Sequence, residues 1–141
     1  MAIGEKLWEG KAKTTGTTIK GASSEGVTLE YTWMAQLKGL GKAKGADGNM
    51  TYSAVVTMGP GGGGLSRGQG LFASATGDMA VVKGSTHGKV EAGKSKGVGI
   101  WTFMTMSQKL LWLNNNAVIV TMEGDPQWME FDLVVWEWKV I

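Results

Sequence analysis

Between positions 66 and 103 a glycine or another small residue recurs at every second position: Ser66, Gly68 and Gly70, then Gly84, Thr86 and Gly88, then Gly97 and Gly99. Successive side chains of a strand point to opposite faces, so a period of two leaves one face of each strand nearly bare. Neighbouring strands with one bare face form a sheet that bends sharply, as a sheet must to close into a barrel. The rest of the chain reads as the other walls of that barrel.

The alternation continues on both sides of this stretch. In 6–19, Trp8, Gly10, Ala12 and Thr14 share one face, while Leu7, Glu9, Lys11 and Lys13 share the solvent face. In 27–38, Val27, Leu29, Tyr31, Trp33, Ala35 and Leu37 alternate with Thr28, Glu30, Thr32, Met34, Gln36 and Lys38, the pattern of a half-buried antiparallel strand. Further strands fall at 50–58, 65–74, 79–90, 97–106, 117–123 and 128–140, most of them joined by short turns rich in Gly, Asp and Asn. Strand 97–106 is apolar on both faces, with Trp101 and Phe103 opposite Ile100, Met104 and Met106, so a partner or another part of the chain is expected to cover its outer side. At 107–113 the alternation breaks, and Leu110, Leu111 and Leu113 suit one or two helical turns with Ser107 as N-cap, plugging the barrel or covering that strand. The expected fold is all-β: an eight-stranded antiparallel up-and-down barrel with one short helical insertion, a single domain over 1–141.

Composition agrees and narrows the function. The chain has 23 glycines, about twice ordinary usage, and 7 tryptophans, which together suit a curved sheet around a wide interior. With no cysteine there is neither a disulfide framework nor a thiolate site. The N-terminus shows no secretion signal and no segment is apolar for long enough to span a membrane as a helix, so a cytoplasmic protein is expected. Net charge is +2, divided as +6 over residues 1–113 and −4 over 114–141; in a closed sheet these segments become neighbours whose lysines and carboxylates pair. Arg67 is the only arginine, which argues against a nucleic-acid surface.

No cofactor motif survives inspection. Gly68-Gln69-Gly70-Leu71-Phe72-Ala73 fits a dinucleotide fingerprint, but it lies inside a strand instead of opening a helix. His87 is the single histidine and falls on the outer face, away from Gly84, Thr86 and Gly88, so no metal site or nucleophilic triad is expected. Tyr31, Trp33 and Tyr52, with Phe131, should face inward and form an apolar wall for flat ligands. The same wall is equally suited to filling a small barrel, whose interior at eight strands is only just wide enough for side chains, while the small residues opposite favour an open cavity. Glu137 continues the Met129, Phe131, Leu133 and Val135 face and is the candidate proton donor or acceptor, its pKa raised if it reaches the lumen. The bland alternative pairs Glu137 with a lysine such as Lys11 or Lys13.

Gly39-x-Gly41 followed by Gly45 and Gly48, Gly68-x-Gly70, Gly84-x-Thr86-x-Gly88, the break at 107–113 and the terminal Trp136-Glu137-Trp138 carry a resemblance. The chain resembles the allene-oxide-cyclase-like barrels, a calycin-type group that includes dirigent proteins and small prokaryotic proteins. The resemblance is one of strand spacing and glycine placement, with no catalytic residue matched. It implies a lumen for an apolar small molecule and a dimer or trimer, not a particular reaction. Three functions follow as expectations: a binding barrel, an isomerase or cyclase using the same lumen, or an assembly protein with a filled lumen and an interface at strand 97–106 and Trp136/Trp138.

Overall fold

The computed structural model describes residues 2–60 and 63–139. Eight strands follow in chain order: β1 (Ala2–Ser23), β2 (Gly26–Gly39), β3 (Gly48–Met58), β4 (Gly64–Ser74), β5 (Met79–Glu91), β6 (Lys94–Met104), β7 (Ala117–Gly124) and β8 (Glu130–Lys139). Each pairs antiparallel with the next, and β8 closes on β1 through pairs such as Gly10 with Leu133 and Ala12 with Phe131. The expected up-and-down barrel is the fold. Among the described residues no helix is long and apolar enough to cross a membrane.

Alternation decides what lies inside. Trp33, Ala35 and Leu37 of β2 are buried, whereas Met34, Gln36 and Lys38 between them are exposed. Leu7 departs from the simple count. It is fully buried although its neighbours by period are solvent-facing, because the β1–β8 register shifts on either side of Lys6. β1 also runs four residues beyond its expected end, past the Lys13–Glu130 pair where its ladder with β8 stops, and residues 15–25 are exposed.

Of the two outcomes the sequence allows on the bare faces of β4, β5 and β6, filling holds in the middle of the barrel. Rings from neighbouring strands lie on them: a Cβ on Gly68 would stand 2.5 Å from Tyr52 Cε1. Trp33, Tyr52 and Trp101 stack across the middle of the barrel, with ring centroids 4.9 Å (Trp33–Tyr52) and 5.2 Å (Tyr52–Trp101) apart. Glycine in a strand costs about 0.5–1 kcal/mol relative to alanine, while burying one large apolar side chain is worth about 1.5–3 kcal/mol. Exchanging a Cβ for a seated ring is therefore favourable.

One end of the barrel is plugged. The β2–β3 connection carries a short 3-10 helix, Gly41–Ala43, and the β6–β7 connection carries a second, Gln108–Leu113. Trp8 anchors both: its Nε1 donates to the Ala46 carbonyl at 3.0 Å, and its ring stacks on Trp112 at 6.4 Å while meeting Phe72 and Phe103. Leu110 and Leu113 are buried beneath this end. The insertion at 107–113 thus closes the barrel and does not cover β6. Ser107 does not cap it either; its hydroxyl accepts from the Met79 amide at 3.1 Å, while Asn114 and Thr105 hold the segment by two reciprocal hydrogen bonds. The outer residues Ile100 and Met104 of β6 remain exposed, at 51% and 71%.

Candidate functional site

Among the described residues the opposite end of the barrel is open. There, above the Trp33–Tyr52–Trp101 stack, a pocket of about 160 Å³ is bounded by Leu29, Tyr31, Trp33 and Phe131, with Met122 and Trp128 at its rim. Tyr31, Trp33 and Phe131 of the expected wall therefore come together. Tyr52 does not join them: it is 2% exposed and lies in the filled middle layer, outside the pocket. Burial holds its phenol far above the ordinary tyrosine range, with the Tyr31 phenol adding to the effect.

Ser66 and Thr86 supply the pocket with a polar wall. Both are more than nine-tenths buried. Tyr31 Oη and Ser66 Oγ are 3.1 Å apart, and Thr86 Oγ1 donates to Ser66 Oγ at 3.2 Å. The row exists because Tyr31, Ser66 and Thr86 occupy inward positions on β2, β4 and β5, with Ser66 and Thr86 directly paired in register. Burial raises the Tyr31 pKa and the hydrogen bond to Ser66 pulls against it, so the group is a neutral phenol at ordinary pH. In the sequence Ser66 and Thr86 belong to the small residues of the curved stretch. The available signal was that both carry hydroxyls at inward positions otherwise held by glycine.

The turn from β7 to β8 forms the pocket's outer rim. Asp125 organises it: Oδ1 accepts from the Gln127 and Met129 amides at 3.0 and 3.1 Å, and Oδ2 from the Glu130 amide at 2.7 Å. These three N–H donors hold the Asp125 carboxyl below its usual range, Glu130 contributing most. Trp128 sits in the turn at φ 58°, a left-handed conformation that bulky residues rarely adopt. Its ring crosses the bare strands at Gly88 and Gly97 and meets Phe131 edge-on at 5.6 Å. Thr14 Oγ1 fixes the Trp128 carbonyl at 2.7 Å. The turn displaces the start of β8 from 128 to Glu130 and leaves Met129 exposed, where period alone placed it inward.

Glu137 lies at the plugged end and is absent from the pocket lining. Its side chain is 12% exposed and pairs with Lys42 of the first 3-10 helix, with Lys139 at 3.7 Å. The hydrogen bond from Lys42 holds its pKa below the ordinary glutamate value, outweighing desolvation. The expected upward shift is thus reversed, and the lysine partner is Lys42 in place of Lys11 or Lys13, because the β2–β3 connection folds under this end of the barrel. His87 is exposed on the outer face, as its position in β5 requires. Among the described residues no group of His, Cys, Asp and Glu side chains is arranged to hold a metal ion.

Fold and pocket define a class: a closed eight-stranded antiparallel barrel plugged at one end and open at the other. No protein-family model matches the sequence, and no curated protein matches it. Solved structures do. A protein of unknown function from Clostridium acetobutylicum ATCC 824 is similar with TM-score 0.80 at 13% identity, over 99% of this chain and 100% of that one. A beta-barrel like protein from Acinetobacter baumannii AYE gives 0.76 at 15% identity, covering 98% of this chain and 96% of its own. An enzyme from Penicillium herquei gives 0.68 at 19% identity, covering 94% and 92% respectively. At these identities the likeness is one of fold.

Proposed function

We propose that this chain is a binding barrel for an apolar or aromatic small molecule, held in the pocket at the open end, and that it belongs with the allene-oxide-cyclase-like barrels. The observation that carries the reading is the pocket itself. Trp33, Phe131, Trp128 and Tyr31 surround a space of about 160 Å³ that the core rings below do not fill. Aromatic walls with a few placed polar groups are what small-molecule sites are built from. The full-length likeness in fold to other β-barrels agrees with the barrel architecture, and the family placement rests on strand spacing and glycine placement in the sequence. The test is a titration of an apolar fluorescent probe while following tryptophan emission. Saturable one-to-one quenching that Trp128→Ala or Tyr31→Ala weakens supports the reading; a cooperatively folded protein that binds no probe overturns it.

The isomerase or cyclase reading has support in the likeness to the Penicillium herquei protein, itself described as an enzyme. In that reading the proton-moving group beside a bound substrate is Tyr31, the one ionisable side chain lining the pocket among the described residues. Tyr31→Phe should then abolish turnover and spare binding. An assembly role draws on a different observation: Leu71, Val81 and Met104 form one register row across β4, β5 and β6 and are all exposed on the outer face. Sedimentation of the native protein, compared with a Met104→Lys variant, tests whether that face joins two copies.

A further inference from the structure

The lining of the pocket is specific about charge. Among the described residues it holds no Asp, Glu, Lys, Arg or His. The nearest carboxylate on the rim turn, Asp125, is spent on three backbone amides. On the β1–β2 pair, Lys20 is engaged with Glu30 at 3.3 Å. An ionised guest would therefore enter without a counter-charge, and an unpaired buried charge costs several kcal/mol even after relaxation. A fully apolar guest would cover Ser66 and Thr86 without answering them. Tyr31, Ser66 and Thr86 have three hydroxyl protons between them and make two hydrogen bonds with one another. At least one O–H and several lone pairs remain for a guest oxygen.

Size restricts the guest further. A cavity of about 150 Å³ lined by apolar side chains accommodates benzene, and this pocket is of that order, at about 160 Å³. Its apolar surfaces are the Trp33 and Phe131 faces with Trp128 at the rim, while the hydroxyl row occupies one wall. We infer that the pocket selects an uncharged, single-ring molecule carrying one hydroxyl or carbonyl group, the ring against the aromatic walls and the oxygen on the Tyr31–Ser66–Thr86 row. This rests on the binding reading above and names its ligand class.

Three compounds of similar shape separate the alternatives: p-cresol, toluene and benzoate. Their affinities for the native protein are read from the indole N–H resonances of Trp33 and Trp128. p-Cresol should bind about 3- to 10-fold more tightly than toluene, the range one net hydrogen bond supplies, and benzoate should bind most weakly. In Ser66→Ala, and independently in Thr86→Val, which keeps side-chain volume if the first variant folds poorly, the preference of p-cresol over toluene should fall toward unity with toluene affinity retained. Benzoate binding as well as p-cresol, or toluene binding with no preference for p-cresol, overturns this inference alone and leaves the binding reading standing. If none of the three moves the indole signals, both readings fall.

Discussion

The indole of Trp101 lies directly on the backbone of Gly84: a Cβ built there would sit 2.3 Å from Trp101 Cδ1 and 2.3 Å from the Ile100 carbonyl oxygen. The two residues are paired in the β5–β6 register. No rotamer relieves such a contact, since one of the two atoms belongs to the backbone. Gly84→Ala should therefore destabilise the protein by about 1–3 kcal/mol or more, the usual cost of overpacking. Gly16→Ala is the control, because nothing lies within 4 Å of its Cβ position. It should leave stability unchanged or raise it by up to about 1 kcal/mol. Urea melts of the two variants check the contrast, and equal midpoints would mean that the ring does not depend on the bare strand.

Two tyrosines from one inward wall should respond in opposite ways to loss of their hydroxyls. Tyr52 Oη is buried and makes no hydrogen bond of good geometry among the described residues, the Trp101 indole N–H beside it being poorly aligned, whereas Tyr31 Oη bonds to Ser66. Removing a buried polar group that lacks a partner recovers its desolvation cost, while removing a bonded one leaves its mate unsatisfied at about 1–3 kcal/mol. Tyr52→Phe is expected to match or exceed the parent in stability, and Tyr31→Phe to fall below it. Denaturant midpoints decide it; a Tyr52→Phe variant losing more than about 1 kcal/mol would show that its hydroxyl has a partner after all.

The barrel was legible because closure is written in a short-range signal. Alternation over β2 and the glycine pairs of β4 to β6 specify strand faces without reference to distant residues. What fills the interior was not legible in the same way. The bare positions at Gly68 and Gly84 signal curvature and empty space equally, and only the register that sets Tyr52 and Trp101 beside them distinguishes the two. Leu7 and Met129 went to the wrong face because a register shift and a left-handed residue interrupt the period, and neither leaves a mark in composition. Period leaves Glu137 between the lumen and a lysine partner, and the pair holds; which lysine it is was not legible, because period says nothing about the 3-10 helix that brings Lys42 to it. Ser66 and Thr86 are an instance of the reverse. Their inward positions were readable, but their meeting with Tyr31 depends on three strands aligned at once.

Asp125 holds the pocket's rim, so loss of its carboxylate should loosen that rim locally. In Asp125→Ala the amides of Gln127, Met129 and Glu130 lose their acceptor, and hydrogen exchange should accelerate at these positions while the β2–β3 ladder keeps its protection. The native protein should behave in the same direction in acid. A carboxyl whose folded pKa is depressed stabilises the folded form above its unfolded value and loses that contribution as pH falls through the folded one. Rim protection should thus hold at neutral pH and weaken below the ordinary aspartate value of 3.8. Equal exchange at 127–130 in variant and parent would show that Trp128 and Thr14 hold the turn unaided.

Glu137 gives the test that separates the two ends of the barrel. Its pKa is depressed chiefly by Lys42, whose own pKa the pairing raises. The carboxylate's contribution to stability is complete above its unfolded value, near 4.5, and disappears as pH drops through the lower folded value. The ammonium's contribution is present below its ordinary value of 10.5 and is lost as pH rises through its higher folded one. Glu137→Gln should therefore be less stable than the parent between these limits, and the two melting curves should converge as acid protonates the carboxylate. Lys42→Met should show the same convergence, since it removes the same pair from the other side. Neither change touches a residue lining the pocket, so p-cresol affinity at pH 7 should stay within about twofold of the parent, well inside the factor of ten that 1.4 kcal/mol represents. A large loss of affinity in Glu137→Gln, in a protein that still melts cooperatively, would place this carboxylate in communication with the open end. The plug and the pocket would then act as one site.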